Sequence, residues 1–505
     1  MDSMQRLSAS DLVYLLPELV LVGAAVLLTL LDLFLPKSAG RHTIGVLALV
    51  SLLVSGFFAF QQLGMENPVS LLSGSFRVDD FSALFKLILL GSTAFIVLLG
   101  LGQEEKQGIV HRGEFYYLLL PAVLGGMVMA SSADMITMFV GLETLSISSY
   151  VLVALAKQKT VSNEGAYKYV VMGGISTAFI LYGMSFLYGL SGSTHLGQIN
   201  AALAQHGGSY ELLIYVSFFL LLTGFGFKIA AAPFHAWAPD VYQGAPTPVA
   251  AFLAVVSKGA AIALMFRFLF NVYYGIVDPN VSALENDFFL AIGVLAAAAM
   301  IIGNAMALKQ TNAKRLLALS GVANAGYLLV PIAAHFNTIH FSNAAEMMYY
   351  LIAYALMNIG AFALLMIVSS SAGHEELRGF AGLYHRAPWT AIAGVLIVIS
   401  LAGLPISGGF FGKLFIMFGT MQVQKYWLAA IMIVTSVASF YYYFGLIRQM
   451  FMRPGDDAQE VRVPWNLGAV LWIMALGGLL LGLFPQWVLT ALNDLIALSV
   501  DLFER

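Results

Sequence analysis

Residues 224–235 read Gly224-Phe-Gly-Phe-Lys228-Ile-Ala-Ala-Ala-Pro233-Phe-His235 and lie inside one apolar stretch, 211–238. Pro233 has no backbone N–H and clashes with the preceding turn, so it predicts a helix break or kink close to Lys228. The stretch is long enough to span a bilayer, where irregular backbone is tolerated only if it is buried in protein or lines a wet cavity. The segment therefore predicts a broken membrane helix with ionisable groups at the break.

The composition of the whole chain agrees with a membrane location. Of the 505 residues, 60% are hydrophobic and 10% are charged, whereas soluble domains have roughly 45–50% and 25%. The chain has no cysteine, which excludes disulfides, cysteine-ligated zinc, iron–sulfur clusters and thiol nucleophiles. A net charge of −3 gives no reason to expect nucleic acid as a partner.

Apolar stretches bounded by charged residues, Pro or Gly predict about fourteen transmembrane helices in a single membrane domain, 1–505, of an all-α polytopic protein. The predicted spans are 12–35, 43–63, 81–101, 114–132, 134–156, 164–190, 211–238, 248–271, 287–308, 315–335, 345–370, 388–421, 427–451 and 465–485. The first is interpreted as a retained helix rather than a signal peptide. Residues 486–503 have the pattern of an amphipathic surface helix.

The Lys and Arg residues predict the orientation of the spans, because positive charges concentrate in cytoplasmic loops. With the N-terminus outside, fourteen Lys and Arg residues fall in inner loops and five in outer segments. The remaining five basic residues, all lysines, lie inside predicted spans. Both termini are therefore expected on the outer side of the membrane.

Ionisable residues inside the spans are the functional candidates, because each costs about 2.5–3.5 kcal/mol near the bilayer centre by insertion scales. Lys228, Lys258 and Glu143, the one carboxylate expected deep inside a helix, lie near the middles of their spans. Lys86 and Lys168 lie about one turn from a helix end, where a lysine can extend its ammonium to the interface. Lys413 follows a second break, Gly403-Leu-Pro405-Ile-Ser-Gly408-Gly409, in the span 388–421.

Two broken helices that each carry a lysine suggest the inverted repeats of transporters, although two unrelated proline kinks would give the same pattern. Weak matches favour the repeat: Ser149-Tyr150-Val-Leu-Val resembles Gly326-Tyr327-Leu-Leu-Val, and Glu164-Gly-Ala-Tyr167-Lys168 resembles Glu346-Met-Met-Tyr349-Tyr350. These matches predict two five-helix units of inverted orientation. The predicted division is 1–112 for helices 1–3, 113–272 for the first unit, 286–451 for the second, and 465–505 for helix 14 and its tail.

Several motifs resemble the antiporter-like membrane subunits of respiratory complex I, and most closely their N type, over essentially the whole chain. They are Phe227-Lys228 through Pro233-Phe-His235-Ala-Trp237-Ala-Pro239-Asp240-Val-Tyr242-Gln-Gly244-Ala-Pro246-Thr-Pro248-Val, with Gly141-Leu-Glu143, Gln310-Thr-Asn312-Ala-Lys314-Arg315-Leu-Leu, and Gly403-Leu-Pro405 through Gly412-Lys413. The resemblance implies a mid-membrane polar axis of Glu143, Lys168, Lys228, His235, Lys258 and Lys413. It thereby implies a functional role for Lys168, which its position alone does not.

The resemblance also implies the setting of this chain. The expected function is proton translocation in the bacterial plasma membrane, driven by NADH oxidation and quinone reduction in partner subunits. No cofactor is expected in this chain, whereas the complex would use NADH, FMN, iron–sulfur clusters and a quinone. The implied partners are the M-type antiporter-like subunit, the small K-, J- and A-type subunits, and the lipid bilayer. The alternatives are a subunit of a multisubunit cation/proton antiporter or related ion-pumping hydrogenase, and an inert structural subunit.

The expected mechanism centres on Lys228, whose proton affinity Glu143 would switch. Burial disfavours a charged lysine, whereas a carboxylate within about 4–6 Å restores the charged form. At an effective dielectric near 20, charges about 4 Å apart interact by about 4 kcal/mol, which exceeds the roughly 2.3 kcal/mol needed to move one charge against 100 mV. Lys258 and His235 would pass the proton laterally, and Lys413 would release it.

The orientation can be tested by cysteine labelling, since the chain has no native cysteine. Cysteines introduced singly at positions 158 and 200 should react with a membrane-impermeant probe from opposite sides. Position 158 lies beside Lys157 in a predicted inner loop, whereas position 200 lies in the loop 191–210, which is predicted outside. The loop that holds Arg453 is also predicted inside. Reaction of both positions from the same side would contradict the assignment of the span between them.

Overall fold

The computed structural model describes residues 11–36, 40–65, 67–206, 209–275, 282–334, 342–455 and 461–496. The described α-helices, numbered along the chain, are α1 (Asp11–Tyr14), α2 (Leu16–Phe34), α3 (His42–Phe60), α4 (Asp80–Gly100), α5 (Arg112–Ser131), α6 (Met135–Val153), α7 (Thr160–Ser191), α8 (Leu196–His206), α9 (Glu211–Lys228), α10 (Ala238–Gly244), α11 (Thr247–Phe252), α12 (Lys258–Tyr273), α13 (Ser282–Ala307), α14 (Ala313–Ala333), α15 (Asn343–Ala372), α16 (Leu383–Arg386), α17 (Pro388–Ala402), α18 (Gly408–Gln422), α19 (Tyr426–Met452), α20 (Trp465–Leu483) and α21 (Pro485–Leu495). A π-helical turn, Leu253–Ser257, joins α11 to α12, and a 3₁₀ turn covers Leu377–Phe380.

The helices confirm the predicted fold class, an all-α polytopic membrane protein. In the described ranges, thirteen helical segments are long and apolar enough to cross a membrane, with α11, the π turn and α12 counted as one. The remaining predicted span, 388–421, is divided into α17 and α18, of 15 residues each. The division falls at the predicted Gly403-Leu-Pro405 break. The inverted relation between the two five-helix units stays a prediction.

Polar side chains fix where several spans begin. Asp79 caps α4 by accepting a hydrogen bond from the Ser82 N–H at 2.8 Å, and Asp134 caps α6 through the Ile136 N–H at 2.7 Å. Asn312 caps α14 in the same way. A side-chain oxygen at this position satisfies a backbone donor that has no partner inside the helix. These caps therefore set the residues at which α4, α6 and α14 begin.

Two spans form the centre of the bundle. Every residue in the most apolar window of 247–273 is buried, and the same holds for α14, whereas only 22% is buried in α2 and 33% in α19. Close packing of α13 on α14 depends on small residues: a Cβ on Gly303 would lie 2.6 Å from the Ala323 nitrogen, and one on Gly326 would lie 2.6 Å from the Ala296 oxygen. Small residues let helix backbones approach within a membrane. Lys258 at the start of α12 is thus held at the centre.

Three elements were not predicted from the sequence. A two-stranded antiparallel sheet, β1 (Val69–Leu71) and β2 (Phe76–Val78), pairs Val69 with Val78 in the connection before α4. Helix α8 occupies much of the predicted loop 191–210, and the π turn interrupts a span predicted as continuous. The strands are only three residues long, and α8 is too short and too polar to resemble a span.

The interpretation of Lys86 as a residue that reaches the interface is wrong. Its side chain is fully buried, and its ammonium forms an ion pair with Glu18 at 2.8 Å and donates a hydrogen bond to Gln62 at 3.3 Å. Glu18 belongs to α2 and Gln62 follows α3, so the partners come from neighbouring helices. Glu18 and Glu346 are further buried carboxylates, 7% and 4% exposed. Both lie in the first turn of their helices, so they do not contradict the prediction that Glu143 lies deep inside one.

This buried pair gives a stability prediction. Glu18→Gln leaves the Lys86 ammonium without its counterion, and we expect a loss of roughly 3–5 kcal/mol, the usual cost of breaking a buried pair from one side. The double variant Glu18→Leu/Lys86→Met, which removes both charges, should recover much of that loss. The measurement is the thermal unfolding midpoint of the purified complex. A double variant less stable than Glu18→Gln would contradict the pairing argument.

Candidate functional site

The predicted break near Lys228 is present and is held by the backbone around Pro233. Helix α9 ends at Lys228, and Ala230 has a φ of 56°, in the left-handed region that a continuing helix cannot use. The Phe227 carbonyl accepts from the Ala230 N–H at 3.0 Å and from the Trp237 indole N–H at 3.1 Å, so the end of α9 is tied to the segment after Pro233. The chain resumes as α10. The break therefore fixes Lys228 at a helix end inside the bundle.

Lys228 and Glu143 lie close in the structure but are not bonded to each other. The buried Lys228 ammonium donates to the Ser146 hydroxyl at 2.6 Å. The half-buried Glu143 carboxylate accepts a hydrogen bond from the Thr177 hydroxyl of α7 at 2.7 Å. Glu143 and Ser146 are three residues apart on α6 and share one face of it. The ammonium thus lies within one helical turn of the predicted carboxylate partner.

Lys258 follows the π-helical turn and is 2% exposed. Its ammonium donates to the Gly321 carbonyl of α14 at 2.5 Å and to the Tyr354 hydroxyl of α15 at 3.3 Å. Both partners are neutral. Single π turns inside α-helices occur frequently at functional sites, and this one directs Lys258 into the contact between the central helices.

The second break holds Lys413. Gly403 ends α17 with a φ of 80°, and Ser407 caps α18 by accepting from the Phe410 N–H. Lys413 is 8% exposed, and its ammonium lies 4.7 Å from the centroid of the Tyr327 ring. No ion pair or side-chain hydrogen bond to this ammonium is found within the described residues. Like Lys258, Lys413 is a buried cation without a carboxylate beside it.

Hydroxyl and amide groups fill the space between Lys258 and Lys413. The Tyr350 hydroxyl donates to Asn324 Oδ1 at 2.6 Å, and the Asn324 amide donates to the Ser320 hydroxyl at 3.3 Å. Ser320 in turn is hydrogen-bonded to Tyr443. At one end of this group, Ser320 adjoins Gly321, whose carbonyl binds Lys258. At the other end, Tyr350 packs edge-to-face on Tyr327, whose ring lies beside the Lys413 ammonium. The sequence analysis used Tyr327 and Tyr350 only as repeat matches and gave none of these residues a functional role, since Ser, Asn and Tyr inside spans have no shared spacing.

His235 and Lys168 lie in other surroundings. His235 is 8% exposed, and its Nε2 lies 3.1 Å from Met306 Sδ, while its Nδ1 has no hydrogen-bond partner in the described part of the chain. Lys168 is 38% exposed and pairs with Glu164 at 2.6 Å and Asp240 at 2.7 Å. Neither residue forms a hydrogen bond or an ion pair with Lys228 or Lys258.

Asp240 joins Lys168 to Arg315, which lies 2.6 Å from the other carboxylate oxygen. Burial acts to raise the pKa of the Asp240 carboxyl, but the hydrogen bonds from Lys168 and Arg315 outweigh it and the pKa is lowered. The cluster connects α7, α10 and α14. In the predicted topology it lies on the inner side of the bundle. Lys168 is thus partly exposed within a cluster of charged residues, and its implied mid-membrane position stays a prediction.

The described residues contain no group of three or more His, Asp or Glu side chains that could hold a metal ion.

Comparison with known proteins identifies the family of this chain. Residues 132–439, more than half of the chain, match the family model described as NADH:quinone oxidoreductase/Mrp antiporter, TM. The NADH-quinone oxidoreductase subunit N of Paenibacillus sp. (strain JDR-2) is 50% identical over 511 residues, which cover 98% of this chain and 98% of that protein. The chain belongs to the family of NADH-quinone oxidoreductase subunit N. It is thus a subunit of a complex I enzyme and a multi-pass membrane protein.

Solved structures support the same family. A chain of respiratory complex I from Thermus thermophilus is similar to this subunit N family member with 32% sequence identity and a TM-score of 0.78, over 94% of this chain and 99% of that one. A chain of an Mrp complex from a Dietzia species has a TM-score of 0.80 at 18% identity and covers 97% and 98%. The second similarity shows a shared fold.

Proposed function

We propose that this subunit N carries protons through the membrane along Glu143, Lys228, His235, Lys258 and Lys413, with Lys168 at the inner edge of the route. The observation that carries the proposal is that Lys228, Lys258 and Lys413 are buried and have only neutral first partners. An ammonium without a counterion is costly at this depth. A small displacement of the nearby Glu143 carboxylate can therefore decide whether Lys228 holds its proton.

Glu143 is the carboxylate placed to do this for Lys228. In the structure Thr177 holds Glu143, and Ser146 holds Lys228, so the pair is separated. Because Ser146 and Glu143 share a face of α6, a change of side-chain rotamer can exchange Ser146 for Glu143 as the partner of Lys228. A pair about 4 Å apart at an effective dielectric near 20 contributes about 4 kcal/mol. That energy is sufficient to load or release one proton.

Onward transfer would use the groups between the two later lysines. Tyr354 contacts Lys258 directly, and Asn324 and Tyr350 continue towards Tyr327 and Lys413. Gaps that exceed hydrogen-bond distance would be bridged by water, which is nearly as good a partner as a direct group. His235, with its free Nδ1, would join the route between Lys228 and Lys258 after a rotation away from Met306.

The driving reaction would occur in partner subunits, through oxidation of NADH by FMN, iron–sulfur clusters and a quinone. The contacts are proposed with the M-type subunit and the small K-, J- and A-type subunits, in a bacterial plasma membrane with both termini on the outer side. Cation exchange without NADH and quinone is the alternative that the Mrp-like fold keeps open. Transport of Na⁺ by purified complex in the absence of both substrates would favour it.

Removal of either late lysine tests the route. Lys258→Met and Lys413→Met keep the apolar stem and remove the charge, and each should leave an assembled complex whose proton pumping falls by on the order of 10²-fold, the contribution typical of a positioned proton-transfer group. The measurement is acidification of proteoliposomes after NADH addition. Lys309→Met, at an exposed position after α13, is the matched control. Unchanged pumping in both variants at normal complex abundance would refute the proposal.

A double-mutant cycle tests the Glu143–Lys228 switch. Glu143→Gln and Lys228→Ala each remove the same interaction, so the double variant should pump little worse than the worse single variant. Glu143→Asp keeps the charge and should retain part or all of the activity. Strictly additive losses in the logarithm of the pumping rate, measured on assembled complexes, would show that the two residues act independently.

A further inference from the structure

Glu346 is a buried carboxylate that the route described above does not use. It lies in the first turns of α15 and is 4% exposed. Within the described residues, no side chain forms a hydrogen bond or ion pair with its carboxylate. It packs against Gly419 of α18, where a Cβ would lie 2.4 Å from Oε2 and 3.2 Å from Oε1. The absence of a side chain at Gly419 thus makes room for the carboxylate between the two helices.

The packing of α15 on α18 fixes the position of Glu346 relative to Lys413. A Cβ on Gly412 would lie 2.6 Å from Tyr350 Cδ2, so Gly412 packs on Tyr350 as Gly419 packs on Glu346. The order is reversed between the helices, which therefore run antiparallel. Lys413 adjoins Gly412 and lies near the level of Tyr350. Four residues of α15 separate Tyr350 from Glu346, a rise of about 6 Å along the helix.

Beyond Glu346 the chain reaches the edge of the bundle. Ser342 caps α15 by accepting from the Ala345 N–H at 3.1 Å, and its own N–H donates to Asn493 Oδ1 at 2.9 Å. Asn493 is half-buried on α21, the amphipathic helix near the C-terminus. The start of α15 and α21 thus lie at the same edge, which the Lys and Arg distribution predicts to be the outer one. Glu346 lies between Lys413 and that edge.

A structural role is the simplest alternative, because carboxylates near a helix N-terminus stabilise the helix dipole by about 0.3–1 kcal/mol. That stabilisation is typical of carboxylates at exposed positions, whereas Glu346 is buried. Taking an unpaired carboxylate out of water costs considerably more, and the described side chains supply no cation to offset it. A buried carboxylate retained at such a cost, between one and two helical turns from a buried lysine as counted along α15 and α18, fits a group that exchanges protons better than one that holds a helix.

We propose that Glu346 accepts protons from Lys413 and releases them to the outer surface. The proton leaves the Lys413 ammonium, which becomes a neutral amine, and binds the Glu346 carboxylate, which becomes a neutral carboxylic acid. The acid then gives the proton to water at the edge near Ser342 and Asn493. No oxidant or other reactant takes part. The inference rests on the proposed proton route and adds its last group.

The test uses the whole complex in proteoliposomes whose interior corresponds to the outer side. Glu346→Gln keeps the shape and removes the proton-binding group, so the initial rate of acidification should fall by about tenfold or more, within the range of positioned proton-transfer groups. Glu346→Asp should retain at least part of the rate. Glu211→Gln, an exposed glutamate in the first turn of α9 at the same predicted edge, is the matched control and should pump at the wild-type rate.

The dependence on the pH of the interior separates proton release from structure. In the unmodified complex, release through Glu346 should slow as the interior is acidified, and Glu346→Gln should lose this dependence. A merely structural role would lower the rate by the same factor at every pH, and that result would overturn the proposal. A wild-type rate in Glu346→Gln, with Lys413→Met impaired, would overturn it as well and leave the proton route intact. Normal rates in both variants would refute the route itself.

Gly419→Ala is a second test of the proposal if the complex with Glu346→Gln does not assemble. The added Cβ displaces the carboxylate without removing it, because the two would otherwise lie 2.4 Å apart. The proposal expects a slower rate and an altered dependence on interior pH. A wild-type rate with an unchanged pH profile would overturn it.

Discussion

Burial of charge and of backbone polar groups in an apolar medium is the constraint on which the rest of this structure depends. The hydrocarbon core offers no water to a broken helix, so the bundle has to supply the partners. At the first break, the Trp237 indole N–H binds the Phe227 carbonyl, and the break is enclosed by other helices. At the second break, Ser407 caps α18. The breaks are therefore stable only within the bundle.

The buried cations form two groups that differ in their partners. Lys86 pairs with Glu18, Arg267 with Asp79, and Lys314 with Glu375, at 2.6–2.8 Å in each case. Lys228, Lys258 and Lys413, by contrast, contact a hydroxyl, a carbonyl with a hydroxyl, and an aromatic ring. Breaking a buried pair from one side is strongly destabilising, so the first group suits a structural role. The second group can change protonation without losing a counterion.

The three unpaired lysines also share a position within their helices. Each lies at or near an interruption of a helix: Lys228 at the end of α9, Lys258 after the π turn, and Lys413 one turn into α18. Interruptions leave backbone groups that can bind an ammonium or water. Chains of complex I and of an Mrp complex share this fold.

The sequence by itself determined the membrane class, the spans and the two breaks. These features depend on local properties, namely the length of apolar stretches and the missing N–H of proline, and the observed helices begin and end close to the predicted positions. The choice of Lys228 and Lys258 as buried groups also followed from their depth within a span, whereas Lys413 was chosen because it follows the second break. Depth along one helix is a local quantity.

Only the tertiary structure decided which partners these residues have. Lys86 and Lys168 occupy similar positions in their spans, yet Lys86 is enclosed by Glu18 and Gln62, while Lys168 pairs with Asp240. The separation of Glu143 from Lys228 by Ser146, and the place that Gly419 makes for Glu346, likewise involve residues tens of positions apart. Hydropathy reports how deep a residue lies, whereas the packing of other helices determines what it meets there.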